Sequence, residues 1–219
     1  MPRTTKLKPR QKKPARRSLF SVHPGVEMLR KRIEELPAST GKSLEQWTTL
    51  LQRSGGATVE ERLEWLKREH GMGTNSAWWI AERASAGAAP TADDDPQTYL
   101  QAAEQYVAKM YSGSKAGLRP IFNKLIELGL SLGDDVKVCP CQTIVPFYRK
   151  HVFAQLKPTT RARLDLGLAL RDAPFTGRLI DTGGLAKNDR ITHRIGIGSL
   201  KDIDAEVKRW LTAAYALDA

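Results

Sequence analysis

Apolar and polar residues alternate with period two along His151-Val-Phe-Ala-Gln-Leu-Lys157. They do so again along Arg163-Leu-Asp-Leu-Gly-Leu-Ala-Leu170, and Pro158-Thr-Thr-Arg161 separates the two runs. Such alternation predicts two half-buried strands, and the short break between them predicts an antiparallel hairpin. In the first strand Val152, Ala154 and Leu156 share one face, while His151, Phe153, Gln155 and Lys157 share the other. In the second, Leu164, Leu166, Leu168 and Leu170 line up opposite Arg161, Arg163 and Asp165. A sheet with one apolar and one cationic face is expected.

Upstream the period changes to that of helices. Val26, Leu29, Ile33 and Leu36 form a stripe with Pro24 in its first turn, and Pro37 is expected to end that helix. Ser43-x-x-Gln46 and Thr58-x-x-Glu61 read as capping boxes ahead of the stripes Leu44/Trp47/Leu51 and Val59/Leu63/Leu66. Gly71 and Gly73 bracket a turn before a last short helix carrying Trp78, Trp79 and Ile80. Residues 23–84 thus form a compact helical module, and the small, polar, proline-flanked residues 85–96 read as a linker.

Residues 97–219 make a second domain. Helices are predicted from Gln97 to Tyr111 and after Pro120, where Ile121, Leu125, Leu128 and Leu132 form a stripe. Strands follow at about 135–139, 143–149, 151–157, 163–170 and 191–197. Ser199-Leu-Lys-Asp202 is read as the cap of a terminal helix with Ile203, Val207, Trp210, Leu211 and Ala214 facing inward. The fold class is α+β: a small N-terminal helical bundle, then an antiparallel sheet covered on one face by helices.

Composition adds a qualification to the formal charge of +11. Arg3, Lys6, Lys8, Arg10, Lys12, Lys13, Arg16 and Arg17 lie in a stretch without acids. Beyond it, 27 basic side chains face 24 acidic ones, so the body is nearly neutral. A Lys/Arg/Pro-rich arm, residues 1–22, has too little apolar surface to fold alone, and its natural partners are phosphates. Arg16-Arg17 is followed by charged residues rather than an apolar run, which argues against an export signal. No stretch suits a membrane span, and two cysteines give no disulfide framework; a cytoplasmic protein without membrane partners is expected.

Several of these segments also resemble known families. Thr40-Gly-Lys42, Trp47, Trp65-Leu66, Gly71 and Gly73, within residues 37–84, resemble the bacterial domain of unknown function numbered forty-two eighty-seven. Thr143-Ile-Val-Pro-Phe-Tyr-Arg149, Lys157-Pro-Thr-Thr-Arg161 with its continuation to Leu168, Ile191-Thr-His-Arg194 and the closing helix to Tyr215 resemble the one numbered fifty-six fifty-five. The resemblance implies a two-module architecture and carries no activity.

Candidate chemistry concentrates on the hairpin. If Ile191, Ile195 and Ile197 face the core, Thr192 and Arg194 face outward. His151, Lys157, Arg161, Arg163 and Arg194 would then share one surface with a single acid, Asp165, while Phe153 or Tyr148 offers a ring for stacking and Arg149 adds charge. Non-catalytic binding of DNA, RNA or another polyanion through the arm and this face is the leading expectation; the competing reading is a face whose charges only pair across strands. His193 should point to the helices, so it is not expected to form an acid–base couple with His151. Thr40-Gly-Lys-Ser43 lacks the glycine and the strand of a phosphate loop. Cys139-Pro-Cys141 is too few ligands for a metal, and no cofactor is expected. Two other readings stay open: an adaptor that binds a protein through the Trp-bearing helices, and a phosphate-ester hydrolase using His151 with the arginines.

Overall fold

The computed structural model describes residues 19–54, 56–86 and 91–219. The eight cations of the arm lie outside the described residues, as do residues 87–90 of the linker. Four helices come first: α1 (Pro24–Thr40), α2 (Leu44–Ser54), α3 (Val59–His70) and α4 (Thr74–Ala86). Their stripes meet around Leu36, Trp47, Leu51, Leu66 and Ile80, with α4 packed on α2 and α3. Both capping boxes form. The Gln46 amide proton is accepted by Ser43 Oγ and the Ser43 amide proton by Gln46 Oε1, and Thr58 and Glu61 make the same reciprocal pair.

Pro37 does not end α1. It lies inside the last turn, and the helix runs on to Thr40, where Gly41 takes a left-handed φ of 79°. The Thr40 hydroxyl donates to the Leu36 carbonyl at 2.8 Å, so a side chain covers a helix-end acceptor beside the proline.

The second domain begins with α5 (Pro96–Met110), capped by Asp95, and α6 (Arg119–Leu130). Six strands follow: β1 (Lys137–Val138), β2 (Val145–Tyr148), β3 (Val152–Pro158), β4 (Leu164–Leu168), β5 (Ile180–Asp181) and β6 (His193–Ile197). They pair antiparallel in the order β1-β2-β3-β4-β6-β5, and α7 (Ala205–Leu217) closes the chain. Val145, Leu156, Leu166 and Ile195 form one cross-strand row with no exposure at all. That row and its neighbours pack under α6 and α7 on one face of the sheet. Ser199 and Asp202 cap only a short 3-10 turn. α7 starts later, with Asp204 accepting the Val207 amide proton at 3.1 Å.

The two halves touch through α1 and α5. The Ser21 amide donates to the Val138 carbonyl, and the His23 ring nitrogen meets the Tyr148 hydroxyl; within the second domain the Tyr99 hydroxyl donates to the Pro140 carbonyl. Arg83 of α4 pairs with Asp94, whose carboxylate also accepts the Thr91 amide proton. The described end of the linker is therefore a turn held by this pair.

Candidate nucleic-acid interface

The β3–β4 hairpin has the register that alternation predicts, with Lys157 opposite Asp165 and Pro158 opposite Leu164. Leu156, Leu164 and Leu166 fill the core, so Lys157, Arg163 and Asp165 emerge on the other face. β6 places Arg194 opposite Gly167 on that same face, one row from Asp165. Asp165 is the centre of the group. Its Oδ1 lies 2.8 Å from Arg163 Nε, its Oδ2 accepts the Thr159 hydroxyl proton at 2.7 Å, and Arg194 Nη1 approaches to 3.7 Å. Gly196 makes room for this arrangement, since a Cβ there would stand 3.0 Å from Arg163 Cδ.

Lys157 and Arg161 are exposed and make no ion pair among the described residues. Two guanidinium groups thus meet the carboxylate, and these two cations lie beside it in the same hairpin. A further cation near the hairpin's turn was not legible in the pattern: Lys115, from the 3-10 turn before α6, donates its ammonium proton to the Pro158 carbonyl at 2.6 Å. Because the Arg163 and Arg194 side chains remain 43% and 31% exposed, their pairs with Asp165 contribute little stability. Their effect is to hold the guanidinium groups near the surface in fixed positions.

Four expected members of this face are elsewhere. Phe153 is fully buried, because a bulge shifts the β2–β3 register between Phe147 and Tyr148. A bulge sets two consecutive side chains on one side of a strand, and both Phe153 and Ala154 enter the core, with the Phe153 ring against Phe147 and Tyr215. Tyr148 meets His23 at the sheet's far end, hydroxyl to Nε2 at 2.9 Å, and burial pushes its phenol up to about 12.

His151 stands six residues from Lys157, about 20 Å along the strand. Its amide donates to Asp218 Oδ2 at 2.8 Å and its Nδ1 lies 3.0 Å from Asp218 Oδ1. Arg190 holds the same buried carboxylate at 2.8 Å. Arg149 is turned toward Asp135 at 2.7 Å and stacks over the Tyr215 ring. The Arg149 guanidinium and the Tyr215 hydroxyl hold the Asp135 carboxyl below the ordinary aspartate range. Asp135, Arg190 and Asp218 carried no signal in the strand pattern, since they lie in loops and at a helix end.

Thr192 is also inward: its hydroxyl lies 2.7 Å from His193 Nδ1 and accepts the Leu170 amide proton. His193 is buried on the core side, with Nε2 2.9 Å from the Ala173 carbonyl oxygen. At the sheet's other edge, desolvation raises the Cys139 thiol to about 12 and raises Cys141 as well, which leaves both thiols protonated at neutral pH.

The fold and this surface define an α+β protein in which a helical module precedes a one-side-covered antiparallel sheet. The chain belongs to the family described as Domain of unknown function (DUF5655), whose model matches residues 107–218. Residues 29–85 match a second model, Domain of unknown function (DUF4287). No curated protein and no solved structure matches the chain. Among the described residues, no helix is long and apolar enough to cross a membrane.

Proposed function

We propose that this protein binds nucleic acid without catalysis, through the outer face of the β3–β4–β6 sheet together with the basic arm. One observation carries the reading: Arg163 and Arg194 share a single acid, Asp165, while Lys157 stands opposite that acid in register and Arg161 in the adjoining turn is exposed, leaving a local excess of positive charge. Phosphates would replace solvent at Lys157 and Arg161 and share the Arg163 and Arg194 guanidinium groups with Asp165. Binding would release counterions and weaken steeply with salt. His151 does not belong to this group, which removes the support for a hydrolase built from it and the arginines.

The test is DNA and RNA binding over a salt series, with the full chain and with one starting at Ser18. Binding by the shortened chain that is abolished in Lys157→Glu/Arg161→Glu supports the sheet face. Binding that vanishes with the arm, and ignores these two substitutions, overturns it.

A second reading rests on α4. Trp79 is buried, whereas Trp78 remains 49% exposed and offers an amphipathic ring of the kind enriched at protein interfaces. Binding of a protein partner there would be abolished by Trp78→Ser with the nucleic-acid affinity unchanged.

A further inference from the structure

We infer that the sheet face takes double-stranded rather than single-stranded nucleic acid, reading phosphates and not bases. This rests on the nucleic-acid reading above and names its ligand class. Surfaces that prefer single strands add aromatic platforms to a charged groove, and each stacked base is worth roughly 1–3 kcal/mol. On this face the residue placed by alternation to supply a platform, Phe153, has its ring in the core against Phe147 and Tyr215. The remaining aromatic of the paired strands, Tyr148, lies at the end of β2 away from Lys157 and is engaged by His23.

The groups that do reach the surface around Asp165 are ammonium and guanidinium. The middle of the face is Gln155, Gly167 and Gly196, with Ile191 against Gly167 and Arg163 lying over Gly196. This set holds no aromatic ring on which the bases of a single strand could stack. A duplex presents one phosphate per about 1.7 Å of axis against about 3.4 Å for one of its strands, so a face that offers cations and no stacking ring gains more from it. Lys157 on β3 and Arg194 on β6 flank β4, two strand spacings across and two residues along the sheet from each other, about 11–12 Å between backbone positions, and therefore address separate phosphates. The shared chemistry is the phosphate backbone, and both DNA and RNA duplexes present it.

The deciding experiment measures affinities of the full chain for a mixed-sequence DNA duplex, the same duplex as RNA, and each separated strand, over a salt series. Lys157→Glu/Arg161→Glu is measured in parallel; both side chains are exposed and outside any ion pair among the described residues, so the variant should fold, and circular dichroism checks this. The expected result is duplex binding roughly fivefold or more tighter than either strand, with the log–log salt slope reduced by about 1 for each phosphate that the variant no longer neutralises. The DNA and RNA arms report which duplex geometry is preferred. Equal or tighter binding of the single strands, still weakened in the variant, overturns the duplex assignment and leaves the binding reading standing. Affinities unchanged in the variant for every probe overturn both.

Discussion

At the turn end of the β3–β4 hairpin, Arg163 and Arg194 share Asp165, and Lys157 and Arg161 make no ion pair among the described residues. At the opposite end, Arg149, His151 and Arg190 are met by Asp135 and Asp218. Both ends begin with similar residue types on the same strands. The acid at the turn end is local, two residues from Arg163. The acids at the other end arrive from the loop before β1 and from the end of α7, and they bring charge balance and fixed geometry. A basic side chain becomes a candidate ligand contact where the cations outnumber the acids that the structure delivers to them.

The largest effect expected from breaking this contrast is at Phe153. Phe153→Ala should cost about 3–5 kcal/mol in urea unfolding, as expected for emptying a fully buried aromatic site. Nucleic-acid affinity per folded molecule should not change; a stacking role would show the reverse pattern.

Asp218→Ala should come next. The carboxylate is 3% exposed, but His151 and Arg190 are 61% and 51% exposed, so solvent screening limits the effect. About 1–3 kcal/mol of destabilisation is expected, with the salt slope of binding unaffected. A change under about 0.5 kcal/mol would mean that the C-terminal helix is not held by this carboxylate.

Asp135 gives a pH signature. Its carboxyl is depressed below 3.8, so its contribution is complete above that value and is lost as pH falls through the lower folded-state value. Asp135→Asn should therefore shallow the acid limb of the stability profile below pH 3.8 and leave its slope near neutrality unchanged. An unaltered acid limb would show that Arg149 is not paired there in solution.

The smallest effect on stability belongs to the turn end. Lys157→Glu/Arg161→Glu should change unfolding free energy by only about 0.5 kcal/mol, since both side chains face solvent. If that variant instead unfolds the domain, the cations serve the hairpin and not a ligand.

Local pattern determined a good deal of this protein. The period of the apolar residues located the helices and five of the six strands, because burial of one face imposes 3.6 or 2 on the chain wherever an element is long enough to show it. β5 has two residues, Ile180 and Asp181, and is too short to carry a period. Both helical capping boxes were legible since every hydrogen bond in them spans four residues or fewer. Ser199 and Asp202 misled because a 3-10 turn and an α-helix begin with the same local hydrogen bonds. The placing of Lys157, Arg163 and Asp165 on one face was likewise written in the hairpin's alternation, and Arg194 followed from the phase of Ile195 and Ile197. Ile191, expected in the core, lies instead against Gly167 on the outer face, and Thr192 is the one turned inward. What only tertiary structure decided was the fate of the other candidates. A one-residue bulge reversed Phe153, α1 brought His23 to Tyr148, and α7 carried Asp218 across 67 positions to His151. Alternation reports which face a side chain takes in a regular strand. It holds no information about where the register slips or which distant charge arrives opposite, because those depend on how separate elements pack against one another.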